Sequence, residues 1–105
     1  MPVGLRYAEE VPATSPVMRV VAVVVAYNRR ELLVEAMAAL AAQTRQLDAV
    51  VVIDNASDDG SGEAALHALP SIDLVRLESN TGGAGGFAAG IAHALAEHNP
   101  DWVWL

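Results

Sequence analysis

The run Val20-Val21-Ala22-Val23-Val24-Val25-Ala26 constrains this chain more than any other stretch. A strand with one wet face alternates apolar and polar residues; this one is apolar at every position and mostly β-branched. Both of its faces must therefore be covered, which predicts a central strand of a parallel sheet with helices packed on either side. The run is far too short to cross a bilayer, which takes about 20 apolar residues. It is also a poor signal peptide: Glu9 and Glu10 sit beside Arg6 ahead of it, and no small-residue cleavage site precedes Tyr27-Asn28-Arg29-Arg30. The expectation is a soluble, cytoplasmic domain.

A chain of 105 residues with 53% hydrophobic residues can bury one core. Its formal charge is −7 and its six basic residues are all arginines. Without lysine it cannot place the Walker-type lysine of a phosphate loop, which removes the commonest nucleoside-triphosphatase reading. Without a basic stripe, nucleic acid is not expected as a partner. A diphosphate bound here would need a metal or a few local arginines. Cysteine is absent, so there is neither a disulfide framework nor a thiolate metal site.

Taken in order, residues Met1 to Val17 contain Pro2, Pro12 and Pro16 without periodicity and read as an irregular leader. Residues 18–105 read as the α/β domain. After the first strand, Asn28 suits a helix N-cap with Glu31 in capping-box position, and Leu33, Met37 and Leu40 fall on one face, predicting a helix from Arg29 to Gln43. Ala49 to Ile53 predicts a second strand. Glu63 to Leu69 predicts a short helix stopped by Pro70, and Ile72 to Leu77 a third strand. From Ala84 a third helix is expected to bury Phe87, Ile91 and Leu95, with Gly86 and Gly90 allowing a close approach to the sheet. Asp101 to Leu105 begins a fourth strand. Strands alternating with helices imply an open, parallel, Rossmann-like sheet with helices on both faces and right-handed crossovers.

Three polar clusters follow three of these strands: Tyr27-Asn28-Arg29, Asp54 to Gly60, and Asn80 to Gly86. In an open α/β sheet ligands bind beyond the carboxyl ends of the strands, so all three should meet at one edge. Four of the chain's eight glycines lie in the third cluster. Glycines let backbone N–H groups approach a ligand, and the helix N-terminus behind them adds about half a positive charge, so phosphate binding is one use of such a turn. The other is purely structural: a glycine-rich turn also lets a helix lie tightly on a sheet.

The order and spacing of Ala26-Tyr27-Asn28-Arg29, Asp54-Asn55-Ala56-Ser57-Asp58-Asp59-Gly60-Ser61 and Asn80-Thr81-Gly82-Gly83 resemble the nucleotide-binding half of an inverting family-two glycosyltransferase of the GT-A fold. The form Asn-Thr-Gly-Gly-Ala-Gly-Gly-Phe is similar in particular to actinobacterial galactofuranosyltransferases that build cell-wall galactan, and to related rhamnosyltransferases. The resemblance covers Val20 to Leu105. It implies a UDP-sugar donor site in which the backbone of Ala26 and Tyr27 borders the uracil and Asp54 accepts the uracil N–H. Asn80, Gly82 and Gly83, with Gly85 in the same turn, would line the ribose and diphosphate, and Arg29 would bring charge to the phosphates. It also implies a glycan or lipid-linked glycan acceptor, and a full-length enzyme working at the inner face of the membrane.

One departure stands out. Such enzymes carry an Asp-x-Asp metal motif just after the strand that begins here at Trp102, and a catalytic carboxylate base further on; neither is in these 105 residues. A divalent cation (Mg or Mn) belongs to the full-length enzyme, and this stretch, read as its amino-terminal portion, is expected to hold none alone and not to catalyse transfer. Such a portion would leave a sheet edge open, with self-association through it as an expectation.

Other readings stay open beside this one. Asp54 also suits a loop cap that bonds its own backbone. Asp58 and Asp59 read as turn and N-cap residues rather than a catalytic pair. His67, His93 and His98 lack metal-site spacing and read as solvent-facing or boundary residues. Trp102 and Trp104 read as packing residues of a strand. Gly83-Ala84-Gly85-Gly86-Phe87-Ala88 satisfies the G-x-G-x-x-A fingerprint of an NAD or FAD dinucleotide-binding domain, although it follows the third strand rather than the first. A non-catalytic nucleotide-binding or partner module is the third alternative.

Overall fold

The computed structural model describes residues 18–43 and 47–105; the leader expected over residues 1–17 lies outside them. Strand β1 (Val20–Ala26) is followed by helix α1 (Arg30–Ala41), β2 (Ala49–Asp54), α2 (Ser61–Ala68), β3 (Asp73–Arg76), α3 (Gly82–Glu97) and β4 (Trp102–Trp104). The strands form one sheet in the order β3-β2-β1-β4, and every pairing is parallel. The Val-rich run is central, as its lack of a polar face requires. The chain winds outward from β1 to β3 and then returns to the far side of β1, which makes the β1/β4 boundary the topological switch point.

Each face of the sheet carries its own core. Ala22 and Ala26 of β1 and Val50 and Val52 of β2 pack with Leu33 and Met37 of α1 and Ala65 of α2. On the other face, Val21, Val23, Val51 and Ile53 pack against Ala94 of α3. At the amino edge two aspartates fix the strand starts: Asp48 accepts from the Val20 amide and Asp101 from the Arg19 amide, each at 2.7 Å.

The ends of the helices differ from the sequence reading. Asn28 is not an N-cap: its φ is +49°, the left-handed region that asparagine tolerates, and α1 begins after Arg29, with no side-chain cap. The capping box fails because the Asn28 side chain is used elsewhere, accepting from the Asp58 amide at 2.9 Å. Helix α3 starts at Gly82, two residues earlier than expected, so Gly82, Gly83 and Gly85 belong to its first turns.

The contact face of α3 also differs. Its buried residues are Gly86, Gly90 and Ala94, whereas Phe87 and Ile91 are half-buried and Leu95 is 59% exposed. A Cβ on Gly86 would stand 2.5 Å from Val25 Cγ1, and one on Gly90 would stand inside the contact distance of Val23 Cγ1 and 3.1 Å from Ile53 Cγ1. The helix lies so close that only small residues fit the line of contact, and the larger side chains are displaced to its flanks. Trp102 and Trp104 are also more open than a packing role requires, at 60% and 50% exposed; of β4 only Val103 joins the core.

Two glycine substitutions should therefore act in opposite directions in urea unfolding. Gly90→Ala overpacks the α3–sheet contact and is expected to lower stability by about 1–3 kcal/mol. Gly83→Ala meets nothing within 4 Å and is expected to leave stability unchanged or raise it by up to about 1 kcal/mol through helix propensity.

Candidate functional site at the carboxyl edge of the sheet

The parallel register sets the site. Ala26 lies opposite Asp54, and Asp54 opposite Arg76, so β1, β2 and β3 end level and their three loops emerge side by side. Two backbone bonds extend the ladder past the strands, from the Asn55 amide to the Ala26 carbonyl at 2.8 Å and from the Leu77 amide to the Asp54 carbonyl at 2.9 Å.

Side chains then tie the loops together. Between the first and second, the Asn28 amide donates to Ser57 Oγ at 2.9 Å, and Asn28 Oδ1 accepts from the Asp58 amide. The Arg30 amide donates to Asp59 Oδ2 at 3.3 Å. Between the second and third, Asn55 does the joining. It is 1% exposed, and its Oδ1 accepts from the Thr81 amide at 2.9 Å and from Thr81 Oγ1 at 3.1 Å while its Nδ2 donates to the Gly82 carbonyl at 3.0 Å. A buried amide side chain satisfied at both ends in this way fixes the glycine turn against β2.

That turn presents its backbone outward. Gly82 has φ +77°, and space is open around both Gly82 and Gly83. Of the four N–H groups that a helix start leaves without internal partners, the Thr81 amide is capped by Asn55 and the Gly82 amide by Asn80 Oδ1 at 2.8 Å. Those of Gly83 and Ala84 have no side-chain cap among the described residues and face outward at the positive end of a 16-residue helix. Arg29 and Tyr27 are exposed at the same edge, Tyr27 at 45%, and Arg29 has no ion pair among the described residues.

The residues singled out in the sequence thus meet at one edge, with three qualifications. Asp54 is 5% exposed, and its Oδ1 accepts from the Ser57 amide at 2.9 Å, so it caps its own loop whatever else it does. Its Oδ2 lies where a Cβ on Gly62 would come within 2.6 Å, packed against the start of α2. Gly85 is required by Thr81, whose Cβ and Oγ1 would lie 2.7 and 2.8 Å from an added Cβ. Asp59 acts one residue ahead of the α2 N-cap, which is Gly60 in the left-handed region, and bonds both the amide and the hydroxyl of Ser61. Asn55, the residue that joins two loops, was visible in the sequence only as part of the second cluster.

His67 is exposed and His93 and His98 are boundary residues, as read, but the last two share a partner that the sequence did not show. His93 and His98 both reach Asp73, with Nε2 to Oδ2 distances of 2.7 and 2.8 Å. Their spacing of five residues spans the end of α3, where the chain leaves the helical path, and the acid comes from a distant strand, so no local pattern reveals the cluster.

This geometry defines an open, parallel α/β sheet with three loops joined at its carboxyl edge, and the comparisons with known proteins place that fold in a family. The profile of glycosyl transferase family 2 matches residues 21–105. Galactofuranosyltransferase GlfT1 of Mycolicibacterium smegmatis is 42% identical over 86 residues, covering 82% of this chain and 28% of its own length. GlfT1 of Mycobacterium tuberculosis is 45% identical over 91 residues, covering 82% and 29%. The solved mannosyltransferase PcManGT of Pyrobaculum calidifontis, in complex with GDP-Man and Mn2+, superposes with a TM-score of 0.60 at 26% identity over 85% of this chain and 29% of that one. The chain belongs to glycosyl transferase family 2. It spans under a third of the length of the relatives it matches.

Two measurements check the loop structure. Asn55→Ala leaves the Thr81 amide and the Gly82 carbonyl without their partner and is expected to cost about 1–3 kcal/mol in chemical unfolding. The Ser61 hydroxyl bond, opposed by slight burial and aided by the Ser61 and Arg30 amides, holds the Asp59 carboxyl below its ordinary value of 3.8. A carboxyl lowered in the folded state stabilises fully above the ordinary value and loses that contribution as pH falls through the folded one. NMR titration should show Asp59 protonating below 3.8, and Ser61→Ala should move it upward.

Proposed function

We propose that this chain forms the donor-nucleotide site of an inverting glycosyltransferase that uses a UDP-sugar, with galactofuranose as the sugar transferred and a cell-wall glycan or lipid-linked glycan as acceptor. The observation that carries the reading is the convergence of three cross-linked loops on open glycine amides at the carboxyl edge. The identity to two galactofuranosyltransferases supports the choice of sugar. The full-length protein is proposed to act in the cytoplasm at the inner face of the membrane; among the described residues no helix is long and apolar enough to cross one.

In this reading the residues divide the donor between them. The Ala26 and Tyr27 backbone borders the base, and Asp54, each of whose carboxylate oxygens has two lone pairs, accepts the uracil N–H in addition to the Ser57 amide. Asn80, Gly82 and Gly83 line the ribose and diphosphate, with Gly85 giving the turn its shape and Arg29 adding positive charge. Chemically, transfer needs a base to deprotonate the acceptor hydroxyl and charge stabilisation on the leaving diphosphate, which a divalent cation supplies in much phosphoryl chemistry. Mn2+ accompanies GDP-Man in the solved relative. Among the described residues, no three carboxylate or imidazole groups come within reach of one ion at the carboxyl edge. Its ligands and the base are proposed to lie outside this stretch.

The dinucleotide alternative fits less well. Its glycine fingerprint belongs after a central first strand, whereas here the glycine turn follows β3 at the outer edge of the sheet.

NMR titration with UDP, GDP and NAD separates the readings. UDP is expected to shift Ala26, Asp54 and Gly83 with a dissociation constant near the millimolar range, about −4 kcal/mol. Asp54→Asn, which keeps an oxygen for the Ser57 amide, should weaken UDP roughly tenfold through loss of a charged acceptor. Gly83→Ala fills the open space and should weaken it without loss of stability. Shifts at these residues with GDP or NAD but not with UDP would overturn the assignment.

A further inference from the structure

A second concentration of chemistry lies at the opposite edge of the sheet. Asp73 is the first residue of β3, and the carboxyl end of α3 is folded back over it. His93 Nε2 and His98 Nε2 stand 2.7 and 2.8 Å from the same oxygen, Asp73 Oδ2, and the two rings lie edge to face at 62° with centroids 6.1 Å apart. One donor atom from each of the three side chains falls within 4.8 Å of the others. We propose that Asp73, His93 and His98 bind a divalent transition-metal ion of the zinc class, with water at the fourth position.

Two imidazole nitrogens and one carboxylate oxygen are a ligand set that holds zinc while leaving one position open. Zinc bonds of about 2.0–2.1 Å in a tetrahedron place donors about 3.3 Å apart, so each histidine–carboxylate contact need open by only about half an ångström. The side chains are 29%, 22% and 34% exposed for His93, His98 and Asp73, which admits an ion and its water from solvent.

The ligands are also held in place before any ion arrives. Asp73 is paired with Val51 in the sheet. His93 is inside α3, and His98 is its C-cap, with its amide bonded to the Ala94 carbonyl at 2.9 Å and its own carbonyl accepting from Arg19 Nε at 3.0 Å.

Ligand type sets this site apart from any cation that accompanies a sugar diphosphate. Magnesium prefers oxygen donors and keeps several waters, whereas imidazole suits zinc, cobalt, nickel and copper. Position separates them as well: the 16 residues of α3 put about 24 Å between the glycine turn and the far end of the helix. An ion here would fasten the end of α3 to the outermost strand, and it would stabilise the folded chain by mass action.

The chelator-treated protein is titrated with Zn2+ against a chromophoric chelator, and with Co2+ followed by visible absorption. The expected result is one saturable ion with a four-coordinate cobalt spectrum, no competition from Mg2+, and a raised melting temperature. His93→Gln and His98→Gln should each weaken zinc by at least about 100-fold, since even residues that only support metal ligands cost 10–100-fold when changed. His67→Gln, on α2, should not. Because either variant could disturb the fold, imidazole 15N NMR of the unaltered protein gives a direct reading, in which zinc moves Nε2 of His93 and His98 and leaves His67 in place. UDP titration of His93→Gln should match the unaltered protein, which keeps this test independent of the nucleotide reading. Absence of saturable binding, a cobalt spectrum that survives both substitutions, or shifts confined to His67 would overturn the proposal and leave Asp73 as a hydrogen-bond partner only.

Discussion

The contact between α3 and the two central strands is the constraint on which the rest depends. Five of the sixteen residues of α3 are glycine, and each costs about 0.8–1 kcal/mol of helix propensity relative to alanine. Such a segment has little reason to be helical by itself; it is held helical by what it packs on. Gly86 and Gly90 remove the side chains that would hold the helix away from Val25 and Val23, and Ala94 continues the same line into the core. The direction of this contact brings the glycine turn to the carboxyl edge and the histidines to the amino edge.

Asn55 converts that rigid placement into a site. Among the described residues nearly all buried side chains are apolar; Asp54, Asn55 and Ser61 are the polar exceptions, and all three lie in or beside the second loop. Burying polar groups is unfavourable unless each finds a partner, and here each does: Asp54 with the Ser57 amide, Ser61 with Asp59, Asn55 with Thr81 and Gly82. A network satisfied throughout is stiff. The amides of the glycine turn are therefore fixed in direction, so that any ligand they meet pays no ordering entropy on the protein's side of the contact.

Much of this was legible in the sequence because the decisive residues lie in runs. Seven consecutive apolar residues leave a strand no wet face, and strands alternating with helices leave few topologies, so the parallel sheet, its central strand and the shared edge of the three loops follow from pattern alone. Gly86 and Gly90 were readable as a close approach for the same reason, being four apart on a helix. What failed was whatever depended on competition between partners. Asn28 has the chemistry of a helix cap, but the Asp58 amide takes its side chain. Phe87, Ile91 and Leu95 have the spacing of a buried face, but smaller residues one position away allow a closer fit. Asp73 and the histidines are 20 and 25 residues apart, and only the crossover of α3 brings them together.

The chain's only two tryptophans both stand on β4, three residues at the outer side of the sheet, and both are at least half open to water. Intrinsic fluorescence is thus a spectroscopic readout of one edge strand. With both indoles at least half open to water in the folded chain, its emission is expected to change little on global unfolding and more strongly when β4 is covered. Circular dichroism, dominated by the three helices, follows the packed body instead. Where the two signals part company, β4 is moving independently of the rest, which gives a direct optical view of local opening at an edge of the fold.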